Sequence, residues 1–339
     1  MLLKNSLEKL MKKQSLDALS CAKALRDILT KKADPLQAAA FLVLLRAKTE
    51  TAEELSSMIS VLHEQMISLS TGHTLLDIVG TGGDEARTIN ISTGSAILAA
   101  SCGVKIAKHG NRAVSSLSGS ADVLEALGIN IHASPEKISA GIDAIGIGFC
   151  FFPHFHPAML SLRDLRKQLG VPTTFNLLGP LLNPAHPKHI LLGVLHESLL
   201  PLMASTLQKM GTKKSMVVHG CGLDEISCIG PSKIMEITQN GITEFTLEPK
   251  KLGFSLCTLE DLQGGDADTN AKLLLGAFSL ENSKKSKAIR DTLILNAAVA
   301  LYLYGLSPSI FEAINHATEK LQSGSAMLLL EKWRKFSHE

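Results

Sequence analysis

Three polar, glycine-containing stretches of the sequence could bind an anion. Residues 77–84 (DIVGTGGD) contain three glycines, whose backbone can approach a ligand closely and whose N–H groups can surround a negative charge. Residues 88–94 (TINISTG) place Asn, Ser and Thr where a helix should begin, and the free N–H groups of a helix N-terminus bind phosphate. Residues 108–116 (KHGNRAVSS) combine cations, a glycine and hydroxyls, a composition suited to a polyanion.

Each of these stretches alone also has an ordinary structural explanation. The first could be a tight turn, the second a simple N-cap and the third a solvated basic loop. The first is not a Walker A loop, because no Gly-Lys-Ser/Thr follows it. Three such loops after successive predicted strands are unlikely to be coincidental turns, so together they favour a polyanionic ligand.

A pair of neighbouring acids, Asp224 and Glu225, follows the predicted strand at 215–219. Carboxylates at the end of a strand can hold Mg²⁺, which prefers carboxylate, water and phosphate oxygens. Adjacent acids are also common on solvated surfaces, so the sequence leaves both readings open. Five histidines stand between residues 154 and 196 without a third metal ligand at a recognised spacing, and we interpret them as structural or surface residues. These are His154, His156, His186, His189 and His196.

Residues 1–70 read as helices only. Apolar side chains recur at helical spacing around Phe41, Asp34 and Pro35 form a helix start, and Thr51 with Glu54 forms a capping box. We predict a small helical domain over these residues, joined by part of the proline-rich segment 154–187.

Strands and helices alternate from residue 71 onward. Short apolar runs predict strands, and the segments between them predict helices, including one from Ser120 closed by Gly128 and one opened by Ser134 and Pro135. The predicted strands are 74–79, 104–107, 147–152, 190–194 and 215–219, and the tail from about residue 269 is mainly helical. Alternation of this kind predicts an α/β fold, with a mostly parallel central sheet and flanking helices over 71–339.

Composition narrows the class of protein. The chain has 339 residues and a net charge of +2, which gives no bulk signal for binding nucleic acid or a membrane surface. Its six cysteines include no Cys-x-x-Cys pair, so reduced thiols in the cytoplasm are expected. Charge interrupts the N-terminus too early for a signal peptide, and no apolar run approaches the roughly 20 residues of a membrane span.

Taken together, the motifs resemble the anthranilate phosphoribosyltransferase family, in the family's order and over nearly the whole chain. The matching stretches are GTGGD at 80–84, NIST at 90–93, KHGNRAVSS at 108–116, GSADVLE at 119–125, FNLLGPL at 175–181 and LDE at 223–225. The resemblance implies a helical domain joined to a larger α/β phosphoribosyl-transfer domain, usually in a homodimer. It implies the substrates anthranilate and phosphoribosyl pyrophosphate (PRPP), and no fused glutamine amidotransferase here.

The resemblance also assigns site residues. Lys108 would stabilise the departing pyrophosphate electrostatically, without any covalent nucleophile. Ser92, Asp224 and Glu225 would hold Mg²⁺, with two ions expected per monomer. Gly80, Asn111 and Arg166 would contact anthranilate, although Arg163 is close enough in sequence to be a rival. We predict that Arg166 lies on a helix running from about residue 158 to residue 168. The residues expected to bind PRPP are Gly80, Gly83, Asp84, Thr88, Asn90, Ile91, Ser92, Thr93, Lys108, His109, Gly110, Asn111, Arg112, Ala113, Val114, Ser115, Ser116 and Ser120.

Two stretches depart from the family's pattern. Relatives often carry Lys-Gly-Glu-Thr where this chain has residues 48–51 as KTET, which puts the local backbone geometry in question and not the chemistry. Residues 151–157 (FFPHFHP) are unusually aromatic, although the family does carry a His-Pro-Ala-Met here.

Two other functions compete with this interpretation. A pyrimidine nucleoside phosphorylase has a related fold and a similar Lys-His loop, but it needs no acid pair for Mg²⁺, so Asn111, Asp224 and Glu225 argue against it. A non-catalytic nucleic-acid-binding relative should carry a basic groove and damaged site motifs. The nearly neutral charge and the intact motifs argue against that alternative.

Overall fold

Four helices open the chain. The computed structural model describes residues 3–83, 86–113, 117–160 and 162–339. The first helices are α1 (Lys4–Met11), α2 (Ala18–Leu29), α3 (Pro35–Lys48) and α4 (Ala52–Gln65). The predicted capping signals operate as expected: Asp34 accepts a hydrogen bond from the Leu36 N–H, and Thr51 and Glu54 cap each other's backbone. The all-helical beginning of the chain is therefore confirmed.

A seven-stranded sheet forms the centre of the remaining chain. Its strands are β1 (Leu76–Gly80), β2 (Ile106–Gly110), β3 (Ile147–Phe151), β4 (His189–Gly193), β5 (Lys214–Gly220), β6 (Ser232–Thr238) and β7 (Gly241–Leu247), in the order β3-β2-β1-β4-β5-β6-β7. The first five are parallel, and β6 and β7 form an antiparallel hairpin at one edge. The predicted mostly parallel sheet is confirmed, and its strand register brings the carboxyl ends of β1, β2, β4 and β5 to one edge.

Further helices follow β1, some packed on the faces of the sheet and some against the N-terminal helices. They are α5 (Ile91–Ser101), α6 (Ser120–Ala126), α7 (Pro135–Ile145), α8 (Phe152–Phe155), α9 (Pro157–Leu160), α10 (Arg163–Leu169), α11 (Thr174–Leu178), α12 (Leu200–Lys209), α13 (Leu259–Leu262), α14 (Ala267–Phe278), α15 (Lys284–Tyr304), α16 (Ile310–Gln322) and α17 (Ser325–His338). The central helix α15 has 14 buried residues among its 21 and packs against α5. Within the described ranges, no helix is both long and apolar enough to cross a membrane.

The hydrophobic core divides along the faces of the sheet. Because side chains alternate along a strand, Leu191 joins the cluster under α5 and α15, while Ile190 and Leu192 join a second cluster on the other face. The second cluster also contains the buried side chains of α1–α4, and Met159 and Phe175 from the segment 154–187. Burying one such large apolar side chain stabilises the fold by about 1.5–3 kcal/mol. This burial fixes the segment against the N-terminal helices.

Two predicted boundaries were wrong. The strand expected at 104–107 runs over Ile106–Gly110, so Lys108 and His109 lie inside β2 and not in the loop after it. A lysine can lie inside this buried strand because its ammonium donates a hydrogen bond to the Ile78 carbonyl of the neighbouring strand. The single helix expected around 158–168 is divided into α9 and α10, since Met159 and Leu162 donate to carbonyls only three residues back.

Candidate active site

The glycine-rich turn after β1 lies directly against the acidic turn after β5. The Gly82 N–H donates to Asp224 Oδ2 over 2.7 Å. A Cβ atom placed on Gly80 would lie 2.2 Å from that same oxygen, and one placed on Gly193 would lie 1.4 Å from the Asp224 carbonyl oxygen. The absence of side chains at Gly80 and Gly193 therefore allows the acid turn to approach the ends of β1 and β4. Asp84 lies outside the described residues.

A tight turn sets the position of the acid pair. The backbone groups of Gly220 and Leu223 exchange two hydrogen bonds of 3.0 Å, and Cys221 and Gly222 between them adopt positive φ angles of 52° and 86°. Asp224 follows this turn and is buried. The turn therefore places both carboxylates at the carboxyl end of β5, beside the glycine-rich turn.

Lys108 joins three parts of the site although it is itself buried. Its ammonium donates to the Ile78 carbonyl over 2.8 Å and to Ser92 Oγ, at the start of α5, over 3.3 Å. Burial lowers the pKa of Lys108, while the nearby carboxylates of Asp77 and Glu225 act to raise it. The structure thus brings the predicted residues Ser92, Lys108 and Glu225 into one electrostatic group.

A buried carboxylate that the sequence prediction left without a role supports Lys108. Asp77, on β1, has no exposed surface and accepts hydrogen bonds from Asn183 Nδ2 over 2.7 Å and from the His109 N–H over 3.3 Å. Burial raises the pKa of Asp77 to about 6, against the opposing effect of Lys108. An acidic residue inside an apolar strand was the available signal for Asp77. Asn183 carried no such signal, because its partner lies 106 residues away.

His109 points into the protein interior, where it contacts other rings. Its Nε2 lies 3.2 Å from His156 Nε2, and its ring stacks on Phe152 with centroids 5.4 Å apart. Burial lowers the pKa of His109 well below its usual value and lowers the pKa of His156 to about 4. Both rings are therefore neutral near pH 7, which makes the His156 ring an internal packing partner, as the sequence reading expected for it.

The segment before α5 is fixed by a residue from the distant C-terminal part of the chain. Asn270, on α14, donates to Asn90 Oδ1 over 2.9 Å and accepts from the Gly265 N–H over 2.8 Å. Asn90 in turn donates to the Ser118 carbonyl over 3.0 Å. Among the described residues, Asn90 makes no side-chain cap on α5. The Ile91 N–H donates to the Ile89 carbonyl over 2.7 Å, so the N–H groups of Ser92 and Thr93 are the ones that an anion could bind.

The loop after β2 is closed by Asp122 of α6. This carboxylate accepts from the N–H groups of Ala113 and Gly119, over 2.8 and 2.9 Å, and forms an ion pair with Arg112. Arg112 also pairs with Glu125, and the hydrogen bond to Glu125 is the main cause of its raised pKa. Asp122 and Glu125 belong to the matching stretch at 119–125, and the sequence alone indicated no role for either. The arginine expected to bind PRPP is engaged with them in this structure.

The two candidate arginines, Arg166 and Arg163, lie in different surroundings. It is half-buried on α10, with its guanidinium carbon 5.5 Å from the centre of the Phe175 ring, and burial lowers its pKa. No acidic side chain of the described chain forms an ion pair with it. Arg163 is 78% exposed and lies 3.5 Å from Asp164. A half-buried guanidinium with no carboxylate partner among the described residues can accept a carboxylate ligand, so Arg166 stays our predicted contact for anthranilate.

The other predicted residues occupy several environments. The side chains of Ile91 and Thr93 are buried in α5, and the Ile91 N–H already donates to the Ile89 carbonyl. Thr88 forms a backbone bridge to Gln263, and Ser120 donates to the Asn111 carbonyl over 3.3 Å, directly against Gly110. Gly83 has a φ of 86° in the glycine-rich turn. Val114, Ser115 and Ser116 lie outside the described residues.

Comparisons with known proteins all identify the same family. The a/b domain model of a glycosyl transferase family matches residues 72–327, and the helical bundle domain model of that family matches residues 4–66. An anthranilate phosphoribosyltransferase of Chlamydia felis is 46% identical over 319 residues, which cover 94% of this chain and 92% of that protein. A Bacillus mycoides protein of the same name is 45% identical over 305 residues, covering 89% of this chain and 88% of its own.

Solved structures agree with this result. The crystal structure of an anthranilate phosphoribosyltransferase from Thermus thermophilus superposes with a TM-score of 0.92 at 38% identity, covering 98% of this chain and 99% of its own. A Saccharomyces cerevisiae anthranilate phosphoribosyltransferase in complex with PRPP and Mg gives 0.90 at 29% identity, covering 99% and 98%. This chain belongs to the glycosyl transferase family and, within it, to the anthranilate phosphoribosyltransferases.

Proposed function

We propose that the chain transfers the 5-phosphoribosyl group of PRPP to the amine of anthranilate in the cleft between the β1, β2 and β5 strand ends. The C1–oxygen bond of PRPP breaks as the C1–nitrogen bond forms, and pyrophosphate leaves with its electron pair. The products are N-(5-phosphoribosyl)anthranilate and pyrophosphate, as in tryptophan synthesis. The observation that carries the proposal is the contact of the glycine-rich turn, Lys108 and the acid pair at one edge of the sheet.

Three groups of this chain surround the proposed pyrophosphate position. The N-terminus of α5 offers the N–H groups of Ser92 and Thr93, which suit phosphate oxygens, and the glycine-rich turn leaves space beside Gly82 for a ligand to approach the backbone. Lys108 uses two of its three N–H donors on Ile78 and Ser92 and can direct the third at the leaving group. Charge placed in advance where negative charge develops is typically the largest contribution to catalysis. Asn90, Asn111 and Ser120 would shape the same pocket from its sides.

The donor set of the cleft fits Mg²⁺. Asp224, Glu225 and Ser92 supply only oxygen atoms, and a compact metal with a preference for oxygen suits them. When bound, Mg²⁺ neutralises the charge that builds on pyrophosphate. A yeast relative has been solved with PRPP and Mg together. We propose two ions per monomer. Titration of Mn²⁺ followed by electron paramagnetic resonance, with PRPP present, should give a stoichiometry of two, and a stoichiometry of one would contradict it.

The amine of anthranilate needs little activation. An arylamine is neutral at pH 7, so its lone pair is available without a strong base. The task left to the protein is to hold both substrates in line, which can lower a barrier by roughly 7–11 kcal/mol at best. Arg166 can bind the anthranilate carboxylate through two parallel hydrogen bonds, and Gly80 and Asn111 would contact the ring side of the substrate.

One fluorescence assay tests the reaction. Anthranilate fluorescence should fall with time when PRPP and Mg²⁺ are both present, and the signal should stay constant when either is omitted. Phosphorolysis of thymidine or uridine serves as the control for a phosphorylase, and we expect none. Steady fluorescence in the complete mixture, with a folded protein, would contradict the proposal.

We also propose a homodimer and a two-domain division. The first helices expose several large apolar side chains, among them Met11, Leu19 and Leu36, and exposed apolar surface suits a partner. Light scattering should give twice the mass of one chain, and a monomer at working concentration would contradict the dimer. For the domains we retain residues 1–70 with part of 154–187 against the α/β remainder. Both segments pack in one apolar cluster on the same face of the sheet, which supports grouping them together.

A further inference from the structure

A buried carboxylate links the N-terminal helices to the segment that carries Arg166. Glu50, in the turn between α3 and α4, is only 4% exposed. Its Oε1 accepts a hydrogen bond from Thr174 Oγ1 over 2.6 Å, and its Oε2 accepts from Arg46 over 3.0 Å. A buried charge is tolerated only when it is paired and hydrogen-bonded, so both contacts must be kept for Glu50 to stay inside.

The turn that carries Glu50 is held in a fixed shape. Thr49 has a φ of 76°, a conformation that β-branched residues rarely adopt. On the far side of the turn, the Glu54 carboxylate binds the Thr51 N–H over 2.8 Å and the buried Lys48 ammonium over 2.9 Å. Such a conformation persists where its surroundings over-determine it, so the direction of the Glu50 side chain is well defined.

The other end of this link supports the candidate anthranilate site. Thr174 is fully buried and is the first residue of α11, and the next residue, Phe175, supplies the ring under the Arg166 guanidinium. The Asn176 side chain accepts from the Thr173 N–H over 3.1 Å and completes the start of this short helix. A movement of Thr174 would therefore move the ring on which Arg166 rests.

We propose that Glu50 is a positioning residue for the aromatic carboxylate substrate. Through Thr174 it holds α11, so that Phe175 keeps the Arg166 guanidinium in the direction of the bound carboxylate. This inference rests on the proposed contact of Arg166 with anthranilate. The phosphate-binding loops have their own supports in Asp77 and Asn270, so loosening the Glu50 link affects the aromatic substrate and leaves PRPP binding intact.

Kinetics of Thr174 variants test the link. Thr174→Val removes the hydroxyl with almost no change of shape, and we expect the Michaelis constant for anthranilate to rise about tenfold, the scale of a lost hydrogen bond to a charged group. The constant for PRPP should stay within about twofold of its original value. Thr174→Ser keeps the hydroxyl and should restore anthranilate binding. Glu50→Asp keeps the charge but shortens the side chain, and it should give the same split as Thr174→Val.

A matched control separates positioning from general loss of a buried hydroxyl. Thr206 is equally buried, but its hydroxyl bonds to Leu202 within α12, so Thr206→Val should leave both Michaelis constants unchanged. Folded Thr174→Val and Glu50→Asp proteins with an unchanged anthranilate constant would overturn the inference, as would an equal rise for PRPP. Arg166→Ala measured alongside separates the two proposals. An effect there without one at Thr174 rejects only the Glu50 link, and no effect at Arg166 rejects both.

Discussion

The two halves of the candidate site are supported in different ways. The phosphate side is built from strand ends. Its loops are held by hydrogen bonds between residues distant in sequence, which involve Asp77, Asn183 and Asn270. The anthranilate side lies on the short helices α10 and α11, and its arginine rests on one aromatic ring. The difference suggests that the strand ends of the central sheet stabilise the charge of the leaving group. Recognition of anthranilate depends instead on two short helices outside the sheet.

The largest effect should come from the acid pair on the phosphate side. Replacing both Asp224 and Glu225 with Ala should lower kcat/KM by about a thousandfold or more, because Mg²⁺ would lose its carboxylate ligands. Steady-state kinetics across a Mg²⁺ titration measures this, with thermal melting as the check on folding. Glu331→Ala, an exposed acid on α17, is the control and should be silent. Normal turnover of the double variant at limiting Mg²⁺ would reject the assignment.

Arg166 should give the next largest effect, confined to the anthranilate side. Arg166→Ala should raise the Michaelis constant for anthranilate roughly ten- to hundredfold, because hydrogen bonds to a charged group are lost, while the constant for PRPP changes little. Arg163→Ala is the matched control, since Arg163 is exposed beside Asp164, and both constants should stay near their original values. If the anthranilate effect appears in the Arg163 variant instead, the wrong arginine of the pair has been chosen.

A change at Asn270 should affect the Michaelis constant for PRPP and not that for anthranilate, and by a smaller factor than the change at Arg166. Asn270→Ala removes the donor that holds Asn90, so the Michaelis constant for PRPP should rise about five- to tenfold and that for anthranilate should stay within about twofold. Asn90→Ala and the double variant complete a cycle. If the two residues act as one unit, the double variant is no worse than Asn90→Ala alone. Multiplying effects would show that they act independently.

The smallest effect concerns stability alone. Thr49→Gly should raise the melting temperature by about 1–3 °C, because glycine adopts the positive φ at this position without strain. Part of this stabilisation is lost, because glycine gives the unfolded chain more conformational entropy. Thr49→Ala is the control: it also lacks the β-branch but keeps a Cβ at positive φ, so it should give a smaller rise or none. Kinetic constants should be unchanged in both. A lower melting temperature for the glycine variant would mean that the turn is not strained.

Local signals in the sequence predicted much of the fold. Asp34, Thr51 and Ser134 cap helices where expected, since a cap depends on residues only a few positions apart. The buried parallel strands were found for the same reason, because each is a short apolar run. The β6–β7 hairpin was missed, although Asn240 and Gly241 at its turn form a recognised hairpin signal.

The supports of the site could not be predicted in the same way. The Asn90–Asn270 bond joins residues 180 positions apart, and the Asp77–Asn183 bond joins residues 106 apart, so no local pattern marks either pair. The error in the bounds of β2 has the same origin. A lysine inside a strand looks like the end of that strand until the partners that compensate its burial are known. Chemistry-bearing residues were thus visible in the sequence, while the residues that orient them were not.

The close approach at Gly193 has a consequence for how this protein can vary. Even a single methyl group there would overlap the backbone of Asp224, whereas Gly179, with open space around its Cα, has room for one. Position 193 offers no functional group to a substrate, yet a side chain there would displace the backbone of Asp224. The missing side chain on β4 is therefore as much a part of the cleft's geometry as the carboxylates themselves.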